Sequence, residues 1–218
     1  MDMMEAVQAL FGTRSGAGWG FWTSVAAALV VLLLLPALYG HAKRISSERR
    51  LPDPHVEIKL GLHWLASLAQ FLACAGAVTL LADWLAYASG NPQGRSALLA
   101  LTRAQRTGWA LTLSGAILVI VFEVSLVCAT NDRVLSHLRR AFVLLRLILS
   151  GTVFVLAGTL TLAILLQEEY GFQWGGARQA GFALTASWGA VWLGHTIWAW
   201  WLARRPAEPP PEWEGLTA

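Results

Sequence analysis

No Asp, Glu, Lys or Arg occurs between Arg14 and Lys43, between Lys59 and Asp83, between Arg146 and Glu168, or between Arg178 and Arg204. Each gap is long enough to cross a bilayer, which takes about 20 apolar residues. A fifth stretch, Thr107 to Thr130, is apolar except for Glu123. The runs are continuously apolar and do not alternate, which favours helices over a membrane barrel. Only 13% of the 218 residues are charged and 56% are hydrophobic, against roughly a quarter charged in soluble domains. The expectation is an all-α integral membrane protein, a bundle of about five transmembrane helices.

The spans are expected at Trp19–His41, Leu60–Ala88, Thr107–Thr130, Ala141–Leu166 and Gln179–Ala203. Together they make a transmembrane domain over 19–203. An amino-terminal segment over 1–18 precedes it, in which Met3 to Phe11 have the spacing of a short interfacial helix. A Pro-rich solvated tail over 204–218 follows it. The first run is too long for a signal-peptide core and lacks a cleavage site of small residues, so it reads as a retained helix.

Lys and Arg accumulate in alternate connections: Lys43, Arg44, Arg49, Arg50 and Lys59, then Arg133, Arg139 and Arg140, then Arg204 and Arg205. Positively charged loops stay in the cytoplasm. This places the N-terminus outside, the C-terminus in the cytoplasm, and the chain in a bacterial inner (plasma) membrane. The net charge of +3 is spread between apolar runs, so no nucleic-acid partner is implied. Cys74 and Cys128 fall inside spans and read as small apolar side chains, not as a disulfide or metal site. Small residues mark helix–helix seams: Ala66, Ala69, Ala73 and Gly76 on the second span, Gly151 and Gly158 on the fourth, and Ala186, Ala190 and Gly194 on the fifth.

Ionisable groups inside a bilayer are costly and become the candidate site. Three fall within spans: Glu123, Arg146 and His195. A short connection near residues 131–138 makes the third and fourth spans a hairpin, and Glu123 and Arg146 lie equidistant from its middle, so they are expected to pair. His195 lies at comparable depth and completes a buried ionisable cluster. Asp83 reads as an interfacial carboxylate. His63 and His195 are the candidate haem b or metal ligands, although their depths along the helices differ. His55 and Glu57 near His63 show no metal-ligand spacing. No phosphate-binding loop, nucleophile elbow or useful carboxylate pair appears, so no catalytic residue is assigned.

Gln167, Glu168, Glu169, Tyr170 and Phe172, followed by Gly181, Phe182, Thr185, Gly194 and His195, carry a loose likeness. The segment 167–202 resembles the later helices of subunit III of haem-copper oxidases. That family has two histidines where this sequence has Trp192, Leu193, Gly194 and His195, and a further helix with a Trp-His pair that has no counterpart after Arg205. The resemblance implies a non-catalytic subunit with bound lipid near the acidic and histidine positions and no metal of its own.

Three functional readings follow. The first is a non-enzymatic polytopic subunit of a larger membrane complex, of a respiratory or other energy-transducing kind, whose partners are the lipid bilayer and other membrane subunits or copies of itself. The second is a small homo-oligomeric transporter or channel with a polar path through Glu123, Arg146 and His195. The third is a b-type cytochrome membrane anchor.

Overall fold

The computed structural model describes residues 17–48, 53–88, 94–132, 136–169 and 177–204. Five long helices follow one another: α1 (Ala17–Glu48), α2 (Val56–Ala88), α3 (Gly94–Ala129), α4 (His137–Glu169) and α5 (Ala177–Arg204). Among the described residues there is no strand. The expected interfacial helix at Met3 to Phe11 and the Pro-rich tail from Arg205 onward lie outside the described residues.

Four of these helices contain stretches long and apolar enough to cross a membrane: Trp22–Ile45, Val56–Ala88, Gln105–Ala129 and His137–Leu166. Helix α5 is equally continuous, but Trp188, Trp192, Trp198, Trp200 and Trp201 carry polar indole N–H groups. Such rings suit a membrane interface better than its hydrocarbon centre, so α5 is less uniformly apolar than the rest. Helix α1 runs through Pro36 without interruption. The helices also run past the expected span ends, α3 beginning at Gly94 rather than near Thr107.

Helix α2 is the centre. It packs against all four other helices, whereas α3 and α4, consecutive in the chain, barely touch. The hairpin expected for α3 and α4 is therefore corrected: α3 lies against α2 and α4 chiefly against α5. The reason is side-chain size. On α2, Ala66, Ala69 and Gly76 are buried, and this seam of small residues receives α3 so closely that a methyl group on Gly115 would lie 2.6 Å from the Ala69 carbonyl oxygen. No such seam joins α3 to α4.

The fourth helix meets α5 through the expected glycines, Gly151 lying under Trp192 and Gly158 near Thr185. On α5 the packing face is not the expected one. Ala186, Ala190 and Gly194 are exposed, while Ala183, Leu184 and Trp188 are buried. Trp188 sits against Phe71 of α2 at 5.8 Å between ring centroids, so a large aromatic fills the middle of the bundle. Leu113, Ile117, Ile120 and Val124 form an exposed apolar ridge along α3. Trp22, Trp84, Trp200 and Trp201 are exposed near helix ends, and Trp109 near the start of the apolar stretch of α3, as amphipathic rings at a membrane interface would be.

Candidate functional site

Lys59, His63, Ser67 and Gln70 follow one another along α2 at intervals of four, four and three residues, which places them on one helix face over about 16 Å. Each meets a partner from another part of the chain. At the first turn, Lys59 Nζ lies 2.7 Å from Asp53 Oδ2, with both side chains wholly buried. Asp53 Oδ1 also accepts the His55 backbone N–H at 3.0 Å. Burial by itself would raise the Asp53 carboxyl, but the Lys59 ammonium and the His55 N–H hold it below its ordinary range.

One turn further on, His63 Nε2 lies 3.4 Å from Asp132 Oδ1, and the imidazole stacks on Phe142 of α4 at 5.0 Å. Asp132 Oδ2 accepts Arg139 Nε–H at 2.6 Å. For Asp132, too, burial pushes the carboxyl up, while the His63 and Arg139 contacts outweigh it and hold the carboxyl below the usual value. The Ser67 hydroxyl donates to the His63 carbonyl at 2.7 Å. Arg146, 2% exposed, reaches across from α4. Its Nε donates to Ser67 Oγ at 2.8 Å and its Nη2 to the His63 carbonyl at 2.9 Å.

Glu123 of α3 closes the circuit. Its Oε1 lies 3.5 Å from Arg146 Nη1 and its Oε2 lies 3.7 Å from Arg139 Nη2. The chain of contacts thus returns to its start: His63, Asp132, Arg139, Glu123, Arg146, and back to the His63 carbonyl. Together with Asp53 and Lys59, three carboxylates face three permanent cations. Neutralised this way, charges can stand at membrane depth.

Glu123 and Arg146 therefore do come together, but not across a hairpin. Their depths match as the spacing from the α3–α4 connection requires, and the long side chains meet beside α2. His195 does not join this pair. Its Nε2 faces Gln70 Nε2 at 3.3 Å and its Nδ1 lies 2.8 Å from the Val191 carbonyl oxygen. The expected three-residue cluster is thus divided over two levels, Arg146 at the Ser67 level and His195 at Gln70, nearly one turn further along. The two candidate haem or metal ligands are engaged separately, His63 with Asp132 and His195 with Gln70. Among the described residues no group of three or more His, Cys, Asp or Glu is placed to hold a metal ion. Asp83 is buried at the opposite end of α2, and its Oδ2 has no hydrogen-bond partner among the described residues. Cys74 is buried and Cys128 exposed, both as free thiols.

Asp53, Lys59, Ser67, Gln70, Asp132 and Arg139 were not assigned to a site by sequence reasoning, which reads Lys59 and Arg139 only as cations of the cytoplasmic connections. The signal for four of the stripe's members was present, since Lys59, His63, Ser67 and Gln70 have helical spacing in an otherwise apolar run. Asp53, Asp132 and Arg139 are flanking residues whose role depends on how the helices are arranged.

Beyond Gln70 the stripe opens into a groove of about 480 Å³ between α2, α3 and α5, lined by Gln70, Ala73, Ala77, Leu81, Ala186 and Ala190 among others. Of the segment that resembles oxidase subunit III, the side chains from Gln167 to Phe172 lie outside the described residues. No family model, no curated protein and no solved structure matches this chain.

Proposed function

We propose that the chain is an integral protein of a bacterial inner membrane with five spans, its N-terminus outside and its C-terminus in the cytoplasm, serving as a non-enzymatic subunit of a larger membrane complex. The observation that carries this reading is the state of α3. It is held on one side only, by α2, and only 11% of its most apolar stretch is buried, compared with 56% for α2. Its outward ridge of Leu113, Ile117, Ile120 and Val124 is suited to a further helix as well as to lipid. The ionic circuit fixes how α2, α3 and α4 stand, and so how that ridge is presented. An energy-transducing partner complex rests on the resemblance of residues 167–202 alone.

The test is purification from native membranes in a mild detergent, with a crosslinker placed at Ile117→Cys or Ile120→Cys. A defined larger assembly with a crosslinked partner or second copy is expected. A monomer with nothing attached to α3 would overturn the proposal.

A second reading, a small transporter or channel, is favoured by the polar stripe itself, since Lys59, His63, Ser67 and Gln70 with Glu123, Arg146 and His195 make a track into the bundle. In liposomes, ion or proton flux that depends on Glu123 and His195 would support it. Flux unchanged in Glu123→Gln and His195→Ala would remove it.

A further inference from the structure

The hydrogen bonds at His195 settle which nitrogen carries its proton. The Val191 carbonyl only accepts, so Nδ1 at 2.8 Å donates to it, and in the neutral ring Nε2 is then an acceptor. Nε2 faces the Gln70 amide nitrogen at 3.3 Å, so one Gln70 N–H is used there. The second Gln70 N–H and the Gln70 amide oxygen have no protein partner among the described residues. They belong to one amide, a donor and an acceptor at the end of the groove that Gln70 lines.

Depth limits what can satisfy them. Gln70 is 14 residues from Val56 and 18 from Ala88, about 21 Å and about 27 Å from the two ends of α2. That is close to the middle of the span, and a hydrocarbon core about 30 Å thick keeps phospholipid headgroups well away from it. An amide left half-satisfied there is costly, because no water replaces the missing partner.

Shape limits it further. The groove runs along α2 from Gln70 to Leu81, about 16 Å of helix. Its volume of about 480 Å³ is drawn out along that length. A slot of that length and volume suits a single hydrocarbon chain. Ala73 and Ala77 on α2 and Ala186 and Ala190 on α5 form the two walls, each pair one turn apart and without branches to block the slot.

We propose that this groove binds a single-chain neutral lipid whose head both donates and accepts a hydrogen bond, a hydroxyl or a protonated carboxyl, with the head at Gln70 and the chain extending toward Leu81. The lipid head accepts the spare Gln70 N–H and donates to the Gln70 amide oxygen, while His195, fixed by Val191, keeps the amide turned to present that edge. The inference rests on the membrane placement proposed above and is independent of the complex that the chain joins.

The test uses the full chain in nanodiscs with diazirine-bearing hexadecanol and diazirine-bearing palmitic acid, and diazirine-bearing phosphatidylcholine for comparison. Photolabelling by the first two, mapped to peptides containing residues 73–81 and 186–191, is expected to exceed that by phosphatidylcholine. The ratio of the alcohol to the acid shows which head is preferred. Gln70→Met keeps the side-chain volume and is expected to lower the labelling about tenfold, the worth of one or two lost hydrogen bonds. Ala190→Leu, on the exposed side of α5, fills the slot and is expected to abolish it. Labelling that is absent, equal for phosphatidylcholine, or unchanged in Gln70→Met overturns the proposal. Alkaline carbonate extraction of the parent membranes reports insertion separately, so failure of the membrane placement is distinguished from failure of the lipid site.

Discussion

Arg146 donates to Ser67 and to the His63 carbonyl as well as facing Glu123, so the two members of the expected pair are held unequally. Removing Arg146 leaves a carboxylate and two oxygen acceptors without their cation. Arg146→Leu is expected to destabilise by on the order of 3 kcal/mol. Glu123 is partly exposed and its contacts are longer, so Glu123→Gln is expected to cost about 1 kcal/mol or less. Equilibrium unfolding in mixed micelles measures both, and equal losses would show that the pair acts alone. Asp53 and Asp132 set the acid limit. Each has its carboxyl held below the ordinary range in the folded protein, so each contributes stability that is complete above the unfolded value of about 3.9 and is lost as pH falls through the folded value. The unfolding midpoint is expected to fall on acidification, with the part due to these two carboxylates appearing below about pH 4 and made smaller in Asp53→Asn. A midpoint that rises on acidification would contradict this sign.

At the scale of helices, the decisive contact is the α2–α3 crossing. A methyl group at Gly115 would meet the Ala69 oxygen and the Ala73 nitrogen, both at 2.6 Å, and backbone cannot yield as a side-chain tip does. Gly115→Ala is expected to destabilise by about 1–3 kcal/mol. Gly61→Ala and Gly194→Ala meet nothing within 4 Å and are expected to be neutral or to stabilise by up to about 1 kcal/mol; a common thermal-shift series compares the three. The helices themselves were legible in the charge gaps, and the α2 seam in Ala66, Ala69 and Gly76. Which helix the seam would receive was not, because small residues signal close approach without naming the neighbour. The Glu123–Arg146 pair was legible from depth, which is local arithmetic. Its partners Ser67 and the His63 carbonyl were not, because they depend on α2 standing between α3 and α4. His195 illustrates the same limit: its depth was read closely enough, but its direction toward Gln70 depends on the rotation of α5.

For the molecule as a whole, the amphipathic rings and basic groups give a directional expectation. Arg204 lies over the Trp200 ring at 3.6 Å and Lys43 over Tyr39 at 5.7 Å, the pairing of cation and aromatic that anchors a helix end in a headgroup layer. With the C-terminus in the cytoplasm, a fluorescent protein fused after Ala218 is expected to fluoresce and an alkaline phosphatase fused there to be inactive; the reverse pattern would invert the topology.

The near absence of contact between α3 and α4 has a consequence for how the chain is put together. Helices α1 to α3 are joined through α2, and α4 and α5 are joined through their glycines. The polypeptide link between Asp132 and Ser136 therefore connects two pieces that each have their own internal packing. What unites the pieces is the packing of α2 on α5, with Trp188 against Phe71, together with polar side chains crossing from one to the other: Arg139 on Asp132, Arg146 on Ser67 and Glu123, Gln70 on His195. A chain severed in that link and produced as two co-expressed fragments is expected to reassemble in the membrane and copurify, and to copurify more weakly when Arg139 and Arg146 are both changed to Gln. The ionic circuit would then be less a feature of one folded chain than the clasp by which two independently inserted halves recognise each other.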